Sequence, residues 1–443
     1  MELLDRTPIE TCLGRLRRLE SPYVGVVRGL HEFMHTPDET RVFRFGCELA
    51  PTDSILGIAA PPQVSTGQHI TEVHARVAAL AEAAERYSAF ASPPDRICFT
   101  TARAAGSGCP LPESFALFHR RQYAENGSTF RPFTSDTPVR WIDGFDVVTG
   151  GRLLLPLQRI FIGASNDLVP GEAPITYTTS NGTACGATLE EALLPALLEV
   201  VERDAVMVAW YSRVSPPQLE WRSDPILADF DDRYIAPSGM TYQALDLSEI
   251  AGLPTVLACV RGPHDVPEPL GFGASSALDI RDAWKKATAE CFFVRTAARH
   301  LRLMAPERSY RDYREIRDFA DHMLFYTDRN HVCLADFLFA ADERTSVGEA
   351  VAPMTVAEAL LRVVDVVRSQ GGDVLAADIT PPDIASLGLT VAKVVVPQYC
   401  DLDTSFSARF LGGDRLYRRA HQLGWRKKPL TFDDLNPDPH PFG

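Results

Sequence analysis

Apolar positions recur at helical spacing in separated stretches of the chain, and the charged residues fall off the apolar stripes. Across residues 188–204, Leu193, Leu194, Leu197, Val200 and Val201 follow one another at helical spacing, behind a capping box read from Thr188 and Glu191. Across residues 68–90, Ile70, Val73, Val77, Leu80, Ala84 and Tyr87 repeat that period, which assigns the stripe to the core and the glutamates to the other side. A third helix, DAWKKATAECFFVR, sets Lys286 and Glu290 one turn apart, with Arg295 beyond. A further helix, VAEALLRVVDVVRSQ, opens on Thr355 and Glu358 and stops at Gly371 and Gly372.

Extended segments are read from β-branched runs bounded by turn residues: SPYVGVVRGLHEF and TRVFRFGCELA near the front, LPTVLACVRG as a buried strand, then DVLAADIT and LTVAKVVVP. TPVRWIDGFDVVTGGRLLLPLQRIFIG reads as a β-meander turning at residues 149–151, PLPESFALFHRRQYAENG as a capped helix, and residues 221–257 as alternating loop and strand. GFGASSALD is expected to be a small-residue turn feeding the third helix, and residues 302–349 offer no motif.

The chemistry lies in the residues these periods leave over. SNGTACG, at residues 180–186, is a small-residue loop in which Gly182 and Gly186 allow bends and peptide N–H groups can approach an anion. The helix behind it carries Glu199, Glu202 and Arg203, and the earlier helix carries Glu82, Glu85 and Arg86 in the same ExxER order. Two carboxylates on one face ahead of a basic residue suit a hard divalent cation carrying phosphates. A single ExxER is an ordinary solvated face, but two identical copies with Lys286 and Glu290 on a third helix read as converging walls of one site. Ala75, Ala78 and Ala89 are small enough for close approach at that face.

Composition excludes more than it assigns. Forty-five per cent hydrophobic and 23% charged residues is an ordinary globular balance, and the net charge of -14 argues against nonspecific nucleic-acid binding. Nine scattered cysteines without a CxxC pair indicate neither a disulfide framework nor a zinc site, and a reducing cytoplasm fits best. No apolar run reaches transmembrane length, and MELLDRTPIETC is no signal peptide.

With SNG, GxTxEEAxxxxxxExxER, the earlier ExxER and AxxKAxxExxxxR, the chain resembles the YcaO family from about residue 21 to the end. The resemblance implies an α+β fold of mixed β-sheets flanked by helices, divided into an extension (1–20), an ATP-binding catalytic domain (21–435) and a proline-rich tail (436–443). It implies ATP and Mg²⁺ as cofactors, with Glu82, Glu85, Glu199, Glu202 and Glu290 on the metal and Ser180, Asn181, Glu191, Arg203 and Lys286 on the nucleotide. STGQ stands where the family has an SGKG-like turn, and Asp378 and Thr380 stand at its DxT-like position. Ala78, Ala187, Lys286 and Phe293 depart from the family's usual Ser, Asn, Arg and Gln.

The tail, NPDPHPFG, is extended and stiff because Pro437, Pro439 and Pro441 alternate, and by composition alone it suits a disordered end. The resemblance reverses that reading, since a PxPxP tail is typical of YcaO proteins that form azolines, where it delivers the terminal carboxylate, here that of Gly443, as a general base. This chain departs by ending on Phe442 and Gly443. The activity so implied is an ATP-dependent cyclodehydratase acting on Cys, Ser or Thr of a ribosomal precursor peptide. The alternatives are thioamide or macroamidine formation, or a non-catalytic scaffold. With the domain starting near residue 21 there is no room for a winged-helix module, so a separate leader-binding partner protein is expected. Family habit adds a homodimer, and no nucleic-acid or membrane partner is expected.

Overall fold

The extended runs pair into three sheets. The computed structural model describes residues 1–51, 64–125, 129–262 and 270–442. In chain order its strands are β1 (Val27–Glu32), β2 (Phe43–Leu49), β3 (Val64–His69), β4 (Ile97–Thr100), β5 (Val139–Asp146), β6 (Arg152–Pro156), β7 (Thr183–Gly186), β8 (Gln218–Glu220), β9 (Thr241–Asp246), β10 (Thr255–Arg261), β11 (Leu270–Ser276), β12 (Arg344–Ser346), β13 (Leu375–Asp378) and β14 (Thr390–Val395). The first sheet runs β1-β2-β3, the second β4-β5-β13-β14-β7 with β6 on β5, and the third β11-β10-β9-β8-β12. Pairing is antiparallel except between β12 and β8, so the architecture is α+β with mixed sheets, as expected. Among the described residues no helix is long and apolar enough to cross a membrane.

Five helices matter for the site: α1 (Ile9–Leu16), α2 (Glu72–Phe90), α3 (Leu189–Tyr211), α4 (Ile280–Met304) and α5 (Val356–Ser369). The capping box at Thr355 and Glu358 is reciprocal, and Gly371, at φ +83°, ends that segment as expected. β10 shows why LPTVLACVRG reads as an unbroken apolar run. Val256, Ala258 and Val260 enter a core shared with Trp284, Ala287 and Phe292 of α4, while Leu257 and Cys259 enter the main core. A strand covered on both faces has no polar side to alternate with.

α2 buries half of the predicted stripe, Leu80, Ala84 and Tyr87, and adds a line of alanines to it. Ala75, Ala79, Leu80, Ala83, Ala84 and Tyr87 are buried, whereas Val73 and Val77 are only half-buried. The helix lies too close to β3 for branched side chains at the contact: a Cβ on Gly67 would stand 2.2 Å from the Ala79 nitrogen. α4 repeats the arrangement on β11, where a Cβ on Gly273 would stand 2.4 Å from the Cys291 nitrogen.

Other expectations give way to the structure. STGQ is part of β3 and GFGASSALD is largely β11, because small residues serve close strand-to-helix contact as well as turns. The second half of SNGTACG is β7. PLPESFALFHRRQYAENG is helical only over Arg120–Ala124 and a single turn at Pro112–Ser114, and residues 221–257 include the helix Pro225–Phe230. The meander is a hairpin of β5 and β6 followed by a helical turn, Leu157–Ile160.

Gly67→Ala is expected to lower unfolding stability by about 1–3 kcal/mol, the range for overpacking a tight contact. Denaturant unfolding checks this; an unchanged midpoint would show that α2 can lift off β3 freely.

Candidate functional site

α2, α3 and α4 bring their acidic residues to one cleft, and each of the five candidate metal carboxylates is held by a main-chain N–H. Glu82 accepts from Thr66 of β3 at 2.7 Å and Glu85 from Cys185 of β7 at 2.8 Å. Glu199 accepts from Gly182 at 2.9 Å. Glu202 accepts from Ser276 at 3.3 Å and Glu290 from Ala274 at 3.0 Å, both on β11. These bonds fix one oxygen of each carboxylate against the main chain. Arg203 lies among them, 3.3 Å from Glu202 and 3.7 Å from Glu199, and Arg86 pairs with Glu82 at 2.7 Å.

The charge is unbalanced. Burial pushes Glu85 up to about 8, with Glu82 and Glu199 adding repulsion against the relief from the Cys185 N–H. Burial likewise raises Glu202 to about 8, opposed by Arg203 and reinforced by Glu290 and Glu199. Glu199 and Glu290 are raised by the same cause. Glu199 nevertheless keeps 29% of its side chain exposed, so a small ligand can reach it. A cluster of carboxylates that cannot all ionise at once calls for cationic charge beyond what Arg203 and Arg86 provide.

Two buried donors point the same way. Among the described residues Asn181 Nδ2 has no hydrogen-bond acceptor, and Arg203 Nε meets Glu202 at 3.3 Å without an aligned hydrogen bond. An open amide and a guanidinium beside a carboxylate cluster suit phosphate oxygens brought in with a cation. Ser180 lies at the turn, where its carbonyl accepts from the Thr183 N–H at 2.9 Å.

Glu191 behaves differently from the expected capping box. Thr188 accepts from the Glu191 N–H, but the Glu191 carboxylate accepts from Ala187 N–H at 3.0 Å and from Thr7 N–H at 2.6 Å. It braces the N-terminal segment to α3. The same segment is tied down by the Met1 amino group on Asp282, 2.5 Å, and by a bridge between Leu3 and Met354. Lys286 is exposed and lies within electrostatic reach of Glu202, Asp282 and Arg6.

The chain matches the YcaO cyclodehydratase family, described as ATP- and Mg²⁺-binding, over residues 66–400. It belongs to the YcaO family. A heterocyclase solved in complex with substrate and cofactor superposes with a TM-score of 0.78 at 23% identity, covering 98% of this chain and 58% of the other. The YcaO protein of Methanopyrus kandleri, solved with AMPPCP and Mg²⁺, gives 0.61 at 20% identity, covering 89% and 92%. Those two likenesses speak to the fold. A protein encoded in the tfuA 3' region of Rhizobium leguminosarum bv. trifolii is 32% identical over 131 residues, 28% of this chain and 29% of that one. The YcaO chain described here thus spans well under two thirds of the first relatives it matches.

The proline tail of this YcaO chain is seated over residues 436–442, and Gly443 lies outside the described residues. Its prolines bring no N–H, so its carbonyls carry the anchoring. Those of Asp438, Pro439 and His440 accept from Trp210 Nε1 (3.1 Å), the Tyr326 hydroxyl (2.6 Å) and His322 Nδ1 (2.8 Å). The His440 Nε2–H donates to the Asp403 carbonyl at 2.8 Å, and the Phe442 ring meets Trp210 and Phe272 edge-on. His322 falls in the segment that offers no sequence motif; only the structure identifies it.

Among the described residues, His322, Asp403 and His440 are the one set of three whose ligand atoms lie within 4.8 Å of one another. They do not form a metal centre. The two imidazoles stack with centroids 3.9 Å apart and planes at 7°, and an ion must lie in the plane of each ring it binds. Parallel stacked rings share no such point, and His322 Nε2 with one Asp403 oxygen remain the loose ends of a tail anchor. The glutamates of the cleft are spaced more widely, as suits a Mg²⁺ ion that keeps waters and takes phosphates as ligands.

Because Glu85 and Glu202 hold protons in the folded state that an unfolded carboxylate loses near 4.5, stability is expected to fall as pH rises from about 4.5 to about 8. Mg²⁺ should raise the melting temperature more at pH 8 than at pH 6; equal shifts would argue against cation binding by ionised carboxylates. His322 has the opposite sign. Burial and the neighbouring His440 hold it neutral, down to about 3. The seated tail is therefore fully stabilised above pH 6.5 and weakens as pH falls toward 3. Fluorescence of Trp210, referenced to Trp210→Phe, should report release across that window; a flat signal would show that His322 does not control the tail.

Proposed function

We propose that this YcaO chain is an ATP- and Mg²⁺-dependent cyclodehydratase that converts Cys, Ser or Thr residues of a ribosomally made precursor peptide into thiazolines or oxazolines. The observation that carries the reading is the group of five oriented carboxylates around Arg203, beside the open amide donor of Asn181. The seated proline tail favours azoline formation among the reactions open to the family.

In this reading the unpinned oxygens of Glu82, Glu85, Glu199, Glu202 and Glu290 hold Mg²⁺. Asn181, Arg203 and the Ser180 turn meet the phosphates, and Lys286 stands at the mouth of the cleft. Glu191 contributes by fixing the N-terminal segment and the start of α3. Bound MgATP supplies the phosphoryl group that makes a substrate amide oxygen able to leave. The protein's part is positioning and charge neutralisation, which phosphoryl transfer chiefly requires. The terminal carboxylate of Gly443 is assigned the role of general base that takes the substrate's proton. Leader recognition is assigned to a separate partner protein.

The test is the intact mass of a candidate precursor peptide after incubation with this protein, ATP, Mg²⁺ and the leader-binding partner. One water should be lost per reacted residue, and Glu199→Ala should slow the loss by about a hundredfold or more while folding is retained. An unchanged mass without ADP formation, with the correct peptide and partner present, would replace the enzyme by a scaffold. ADP formation with a gain of sulfur would point to thioamide chemistry.

A further inference from the structure

Lys393 is a buried cation that the reading above leaves without a task. It lies within β14, paired with Thr183 of β7 on one side and Ala377 of β13 on the other, and only 2% of it is exposed. An ammonium at that depth needs strong acceptors. The ammonium donates to main-chain carbonyls of the loop before β7, that of Thr179 at 2.8 Å and that of Asn181. β14 holds the loop again next door, where the Val394 N–H donates to the Gly182 carbonyl at 2.7 Å. Gly182 sits at φ +71°, and a Cβ there would stand 2.5 Å from the Val394 oxygen, so no other residue fits this approach.

Peptide geometry turns these contacts into an orientation. In a trans peptide the N–H points opposite to the C=O. Carbonyls of Thr179 and Asn181 drawn toward Lys393 therefore send the N–H groups of Ser180 and Gly182 away from it. The Gly182 N–H is the one that holds Glu199. The charged groups that act on the ammonium are Asp401, Arg159 and Glu199. Arg159 and Asp401 are paired with each other, so positive charge from Lys393 remains behind the loop.

We propose that Lys393 is a positioning residue for nucleotide binding: its ammonium holds the peptide units after Thr179 and Asn181 so that the Ser180 amide faces the phosphates and the Gly182 amide holds Glu199 in place. The proposal rests on the nucleotide-binding reading of the cleft and extends it to a residue on the far side of the loop. Lys393 touches no substrate in this arrangement and acts through the loop. Burial lowers its pKa to about 8, still high enough to leave it largely protonated at neutral pH.

The experiment is calorimetric titration of the folded protein with a nonhydrolysable ATP analogue and Mg²⁺, alongside Lys393→Met and Lys393→Gln, with melting temperatures recorded for each. Lys393→Met should weaken nucleotide binding about tenfold or more, and Lys393→Gln, which keeps donors without the charge, by a smaller factor. The KM for precursor peptide should stay within about twofold, a split that general loosening would not give. Wild-type nucleotide affinity in a folded variant, whatever its melting temperature, would overturn the proposal. If Lys393→Met does not fold, unchanged affinity in Lys393→Gln would overturn it in the same way. Failure of the wild-type protein to bind the analogue would instead overturn the nucleotide reading and the proposal with it.

Discussion

Burial of carboxylates beside one another is the constraint on which the rest of the site depends. Glu82, Glu85, Glu199, Glu202 and Glu290 come from three helices, and burial first, then neighbouring negative charge, favours the protonated form of the last four. Their main-chain N–H partners lie on β3, β7, β11 and the turn at Gly182. A strand amide cannot swing away as a side-chain donor can, so the sheets carry the orientation and the helices carry the charge.

That division explains the closeness of helix to sheet. Glu82 is held by the residue beside Gly67, and Glu290 by the residue beside Gly273. In both places the absent side chain lets the helix backbone drop onto the strand, which brings a glutamate within hydrogen-bond reach of the neighbouring amide. The same device thus appears in α2 on β3 and in α4 on β11. α3 lies between the two units and contributes Arg203, which reaches Glu199, Glu202 and Glu290 together.

The parts legible in the sequence were those whose physics is local. Identical ExxER spacing, a reciprocal cap at Thr355 and a β-branched run at residues 255–261 each declare themselves within a few residues. Glycine-rich strands did not, because GFGASS and STGQ look like turns until the helix that needs their missing side chains is in place. Half of the α2 stripe is buried as expected, and alanines take the remaining close positions because Gly67 sets the approach. At Thr188 half of the expected box forms, because the Glu191 carboxylate turns to Ala187 and to Thr7, a partner remote in sequence. Lys393 left one trace, a lysine within the apolar run VAKVVVP, and a cation inside a strand covered on both sides is a reason to look for acceptors.

The tail is the remaining case in which composition and structure diverge. Ordering a chain end costs conformational entropy, and alternating prolines reduce that cost because their φ is already fixed. They also leave few donors to satisfy, so aromatic and imidazole donors to the carbonyls of residues 438–440 suffice to hold the segment. Trp210, which supplies one of those donors and packs against Phe442, belongs to α3, two turns beyond Glu202 and Arg203. A displacement of α3 that disturbed the carboxylates would also disturb the tail. One rigid helix therefore sets both the charge of the cleft and the course of the chain end.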